Sequence, residues 1–150
     1  MSDKPTSNRR ADYRFFSSIP TRWMDNDVYG HVNNVNYYSF FDTAVNKHLI
    51  EQGALDIEKS DVIGLVVETQ CNYFAPIAFP QTIEAGLRVT KIGSSSVRYE
   101  IGLFSEGSDT SVAQGHFIHV YVNRKTNRPV PLPAPLKTVV ENLFYSTNKE

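Results

Sequence analysis

The chain has 150 residues, 41% of them hydrophobic and 12% aromatic, enough for one domain that buries about two-thirds of its unfolded surface. A net charge of -1 offers nucleic acid no broad basic face, and no apolar run approaches the roughly 18 residues of a membrane span, so neither partner is expected. The single Cys71 excludes an internal disulfide, and MSDKPTSNRRADYR lacks the apolar core and cleavage site of a secretory leader, which implies a reducing, cytoplasmic location.

Residues 1–11 are polar, with Pro5 and a basic pair, and read as a flexible tail; a single domain over residues 12–150 follows. YRFFSSIPTRW predicts a first strand that ends near the loop beginning at Met24. From Asn36 to about Gln52 the spacing becomes helical, with Tyr37, Phe41, Ala44 and His48 on one stripe and Tyr38, Phe41, Val45 and Leu49 on the next; Gly53 ends it. VIGLVVETQCNYF, nearly continuous in apolar and β-branched residues until Pro76, predicts a strand, and Pro80 closes the turn after it. TIEAGLRVTKI alternates, with Ile83, Ala85, Leu87 and Val89 on one face and Glu84, Arg88 and Thr90 on the other. SVRYEIGLF and SVAQGHFIHVYV continue the strands, and Leu136, Val139, Val140, Leu143 and Phe144 predict a short C-terminal helix after PVPLPAP.

Strand, long helix, four strands and short helix, joined by short turns, make an α+β chain with an antiparallel sheet. A helix of about 17 residues spans roughly 25 Å, close to the reach of a curved ten-residue strand of roughly 33 Å or less. Apolar groups on more than one stripe of the helix need cover on several sides. A five-stranded or larger curved sheet wrapped around one long central helix supplies it.

The densest polar segment, DNDVYGHVNN, lies directly before that helix. Taken singly, Asp25, Asn26 and Gly30 are ordinary turn residues, and Asn33 or Asn34 is a good helix cap. An EF-hand register fails, because Asn36 falls where the bidentate glutamate belongs. Asp25, Asp27 and His31 match no common metal-ligand spacing, so no metal is expected, and His48, His116 and His119 read as core or sheet residues. There is no G-x-S-x-G elbow. Position gives a sharper reading: a carboxylate in a loop entering a buried helix stands near free backbone N–H groups that can hold a developing oxyanion. This arrangement suits acyl transfer to water, with Asp27 as base or nucleophile.

WMDNDVYGHVNNVNY resembles the signature of the hotdog-fold acyl-CoA thioesterases of the 4-hydroxybenzoyl-CoA thioesterase type. The long helix, the four-strand run, KIGSSSVRYE and VYVNRKTNRPVPLP extend the likeness over roughly residues 12–145. The resemblance implies a hotdog fold and an acyl-CoA substrate, with a fatty acyl group expected and no cofactor beyond the CoA of the substrate. It makes Asp27, the second aspartate of the D-x-D pair, the catalytic carboxylate, and forms Gly30 to Asn34 into the turn whose N–H groups polarise the thioester carbonyl. Several relatives carry a histidine where this chain has Asn34, and some a tyrosine where it has Trp23. Asn34 therefore orients water or the carbonyl, or caps the helix.

The catalytic candidates are thus Asp27, Asn34 and His31, with Gly30, Asn33, Val35 and Tyr37 beside the substrate. For the CoA phosphates, Arg88, Lys91, Ser95 and Arg98 around the GSSS turn offer cations and backbone donors, though exposed strand cations are ordinarily solvated. Arg124, Lys125 and Arg128 form a second cluster. The resemblance also implies a homodimer or homotetramer with sites at the subunit boundary. Two other functions fit the fold: an acyl-thioester hydratase or dehydratase using His31 with Asp27, and a non-catalytic acyl-CoA binding module.

Overall fold

Ile83, Ala85, Leu87 and Val89, which alternation places on one face, are all no more than 1% exposed. The computed structural model, which describes residues 6–56 and 58–146, turns that face toward a single long helix. The elements are β1 (Phe15–Pro20), α1 (Val35–Glu51), β2 (Val62–Tyr73), β3 (Thr82–Ile92), β4 (Ser96–Ser105), β5 (Ala113–Asn123) and α2 (Ala134–Asn142). The five strands form one antiparallel sheet in the order β1-β3-β4-β5-β2. This is the hotdog architecture, with α1 packed inside the curve.

Two stripes of α1 account for the packing: Tyr37, Phe40, Phe41, Ala44, Val45, His48 and Leu49 are all buried. Phe41 meets Phe117 of β5 edge to face at 5.8 Å. Gly115 lets the helix lie this close, because a Cβ there would collide with the Gln70 carbonyl and the Phe41 ring. α2 closes the open end of the core with Leu136, Val139 and Val140.

Two boundaries differ from the sequence expectation. The first strand ends at Pro20, short of Met24, because reciprocal bonds between Arg22 and Asp25 draw Trp23–Asp25 into a 3-10 turn. The flexible tail expected over residues 1–11 is corrected for its described part. The Asn8 amide donates to Gln114 Oε1 at 2.7 Å, Ser7 Oγ to the Ser111 carbonyl at 2.6 Å, and Arg10 Nε to the Ser108 carbonyl at 2.6 Å. Those partners are about a hundred residues away, so polar composition alone resembled a tail. Residues 1–5 lie outside the described residues.

β2 is an edge strand, yet Leu65, Val66 and Val67 are 41%, 47% and 59% exposed. A bulge between Val66 and Glu68 interrupts its pairing with β5 at this point.

Candidate active site

The two aspartates of the D-x-D pair have separate roles. Asp25 is 1% exposed and accepts the Arg22 amide at 2.7 Å and the Arg22 guanidinium at 2.8 Å. Its carbonyl accepts the Asn33 amide at 2.8 Å and Asn36 Nδ2 at 3.0 Å. Asp25 therefore binds the loop to the first turn of α1. Its carboxylate is already paired, and among the described residues no three His, Cys, Asp or Glu side chains converge as a metal site would need.

Asp27 lies in a tight reversal: its amide donates to the His31 carbonyl at 2.8 Å, and the Gly30 amide returns to the Asp27 carbonyl at 3.0 Å. Gly30 adopts φ 82, a left-handed conformation natural to glycine. The carboxylate is half-buried; Oδ1 accepts the Tyr29 amide at 2.8 Å, and the other oxygen has no partner among the described residues. It is anchored on one side and free on the other. An open recess of about 630 Å³, lined by Trp23, Met24, Asn26, Asp27, Val28 and Gly30, lies before it.

Asn33 Oδ1 accepts the Val35 amide at 3.1 Å, so Asn33 caps α1. Asn34 is exposed, makes no side-chain cap bond, and its carbonyl accepts Tyr73 Oη at 3.3 Å. Among the described residues the amides of Val28, His31 and Asn34 meet no acceptor. They are the free donors of a helix N-terminus and the turn before it. His31 is exposed, Val35 is 68% exposed, and Tyr37 is buried with its ring against Tyr73 at 4.9 Å.

Asp27, Gly30, His31, Asn33 and Asn34 thus share the loop that enters α1 and Val35 and Tyr37 its first turn, and of these Asp27 and Gly30 line the recess. The structure adds Tyr73, Phe79 and Cys71, which sequence reasoning did not single out. Trp23 packs edge-on to Phe79 at 6.0 Å, and the Phe79 amide donates to Asn26 Oδ1 at 3.1 Å. The signal available for Tyr73 was its place at the end of an apolar strand just before Pro76. Burial pushes the Cys71 thiol up to about 11, which keeps it protonated and makes it a poor nucleophile. Burial is also the main cause that raises Tyr73 and Tyr37.

The basic cluster expected for phosphates needs correction. Arg88 is 7% exposed; Nε and Nη2 donate to Glu100 at 2.9 and 2.6 Å, and Nη1 to the Asp12 carbonyl at 3.0 Å. Its guanidinium also lies over the Tyr13 and Tyr145 rings. It is a structural cation with no face left for a phosphate. Arg98 donates to Glu100 at 2.8 Å and lies 3.2 Å from His116 Nδ1. Pairing of Pro20 with Thr82 and of Ile92 with Val97 sets Lys91, Ser95 and Arg98 toward the opposite end of β3 from the Asp27 loop. The length of β3 makes that roughly 30 Å. Alternation showed Arg88 on the outer face but could not show Glu100 waiting beside it.

The pattern of the thioesterase-like superfamily matches residues 21–140. The chain belongs to that family. The match covers the Asp27 loop, α1 and the whole of β2 to β5. The PA5185 protein of Pseudomonas aeruginosa strain PAO1 is 55% identical; the superposition covers 95% of this chain and all of that one, with a TM-score of 0.93. Slr0204 of Synechocystis, a 1,4-dihydroxy-2-naphthoyl-CoA thioesterase, is 19% identical, covers 86% of this chain and 96% of that one, and has a TM-score of 0.78, a likeness of fold. YsmA of Bacillus subtilis, an uncharacterized protein, is 22% identical over 129 residues, 85% of this chain and 86% of that one.

Proposed function

We propose that this hotdog thioesterase hydrolyses acyl-CoA to a free carboxylic acid and CoA, with Asp27 as the catalytic carboxylate. The observation that carries the reading is one short segment holding both a carboxylate with a free oxygen and the unpartnered amides of Val28, His31 and Asn34. Asp27 takes a proton from water as the water attacks the thioester carbonyl, or attacks that carbon itself to give an anhydride that water then opens. The amides hold the oxyanion in either case. The C–S bond breaks and CoA leaves as the thiol after taking up a proton. The exposed Asn34 and His31 flank this point and orient water or the carbonyl, while Gly30, Asn33, Val35 and Tyr37 shape the wall.

The reading includes a fatty acyl group, supported by the apolar and aromatic side chains around the loop, and no metal or nucleotide cofactor. It also includes a homodimer, supported by the exposed apolar edge of β2, and a cytoplasmic location, supported by the single free thiol. The experiment is CoA release, read with a thiol reagent, from short, medium, long and aromatic acyl-CoAs. Release from at least one class supports hydrolysis. Binding without release supports a binding module, and loss of conjugated-thioester absorbance without CoA release supports a hydratase.

A further inference from the structure

Among the described residues, three hydrogen bonds tie the Asp27 loop to distant parts of the chain, and all three partners lie within residues 73–79, the segment that leaves the end of β2. The Val32 amide donates to the Ile77 carbonyl at 2.7 Å, the Phe79 amide to Asn26 Oδ1 at 3.1 Å, and Tyr73 Oη to the Asn34 carbonyl at 3.3 Å. Packing of Trp23 against Phe79 adds a ring contact. The loop's other hydrogen bonds are local, so this segment sets its position against the sheet.

The two free amides nearest α1 are each bracketed by fixed groups. At His31, the carbonyl accepts the Asp27 amide at 2.8 Å and the next residue, Val32, is held on Ile77. Before the Asn34 amide, the Asn33 amide donates to the Asp25 carbonyl at 2.8 Å; after it, the Asn34 carbonyl accepts the Tyr37 amide at 3.2 Å and Tyr73 Oη. A peptide group is planar, so the direction of its N–H depends on the backbone torsions on either side of it. At Asn34 the Tyr73 hydroxyl is the bond that comes from the sheet, and it holds the carbonyl that follows the free amide.

The hydroxyl is itself well placed. Tyr73 is the last residue of β2, paired with Ala113, and its ring meets buried Tyr37 edge to face at 4.9 Å. Burial raises the phenol, with the nearby Cys71 thiol a further cause, so the group stays protonated and remains a donor. We propose that Tyr73 is a positioning residue for the reaction: through the Asn34 carbonyl it orients the Asn34 amide toward the oxyanion that forms on the thioester. This rests on the hydrolase reading above and assigns a part in it to a sheet residue outside the loop. A misdirected donor loses much of its effect on the transition state while substrate binds as before, so the signature falls on kcat.

The test compares Tyr73→Phe, Asn34→Pro and the double variant on the acyl-CoA that the native protein turns over best, with kcat, KM and Tm measured for each. Tyr73→Phe keeps the ring on Tyr37 and should lower kcat by about ten-fold, with KM within about two-fold and Tm near native. Asn34→Pro removes the Asn34 N–H while suiting its φ of -59, and should lower kcat by about 10²- to 10³-fold. With that donor gone, adding Tyr73→Phe should change kcat by less than about two-fold. Unchanged kcat in folded Tyr73→Phe, a loss confined to KM or to Tm, or a Tyr73 effect of full size on top of Asn34→Pro overturns the proposal. Where Asn34→Pro does not fold, the kcat and KM of Tyr73→Phe decide alone. A native protein that releases CoA from no substrate overturns the hydrolase reading as well, which the acyl-CoA panel reveals separately.

Discussion

The Asn33 amide donates to the Asp25 carbonyl at 2.8 Å, so the first aspartate of the pair holds the start of α1 while the second faces the open recess. The two carboxylates, two residues apart, should therefore respond differently to substitution. Asp25→Ala removes the buried carboxylate that fixes the Arg22 turn against the start of α1 and is expected to lower stability. Thermal melting checks this: a clear fall in Tm for Asp25→Ala beside little change for Asp27→Asn is the expected pattern.

Arg88 and Glu100 should behave as structure and not as substrate contacts. Arg88→Met leaves Glu100 Oε1 without its two guanidinium bonds while Oε2 keeps Arg98 and Thr90, and is expected to lower stability by about 1–3 kcal/mol, with KM for acyl-CoA unchanged if the variant folds. Burial alone would raise Glu100, but hydrogen bonds from Arg98 and Arg88 outweigh it and hold the carboxyl below its usual value. A depressed carboxylate contributes stability above its unfolded pKa near 4.3 that disappears as pH falls through the folded value. Denaturant unfolding of the native protein should weaken steeply below about pH 4, and Glu100→Gln should weaken less over that interval.

His119 titrates in the opposite chemical sense with the same pH direction. Burial lowers it to about 4, whereas an unfolded histidine binds its proton near 6.5. Between those values the unfolded chain holds the extra proton, so stability present above about pH 6.5 is lost as the pH falls toward 4. His119→Gln should flatten that slope. The imidazole resonances of His119 should stay those of the neutral ring at pH 5.5, and a midpoint near 6.5 would contradict the account.

Cys71 lies close to the site without a place in the chemistry. With its thiol pushed up to about 11, Cys71→Ser should retain native turnover, and the native protein should react with a disulfide reagent far more slowly than free cysteine at pH 7.5. A large loss of turnover in Cys71→Ser would return the thiol to consideration as a nucleophile.

Periodicity carried most of the fold. The stripes Tyr37, Phe41, Ala44 and Tyr38, Phe41, Val45 placed α1 to within a residue at each end, because a helix that is covered on several sides writes apolar residues onto more than one stripe. The alternation in TIEAGLRVTKI placed β3 to the residue for the same reason. What failed depended on contacts distant in sequence. Arg88 reads as a solvated strand cation until β4 brings Glu100 beside it, and Asn8 reads as tail until β5 brings Gln114 to it. In the candidate site, the loop and the cap by Asn33 were legible because they are local. Tyr73 and Phe79 were not, since they reach the loop only through the sheet and the turn that follows it.

The most direct measurement is single-turnover CoA release by Asp27→Asn beside the native protein, on the best acyl-CoA, with Tm and acyl-CoA affinity recorded for both. The account predicts a rate lower by about 10²- to 10⁴-fold with Tm and affinity near native, the loss expected when a positioned base is removed. Turnover within a few-fold of native in a folded, substrate-binding Asp27→Asn protein would contradict it and shift the chemistry to another group on the loop.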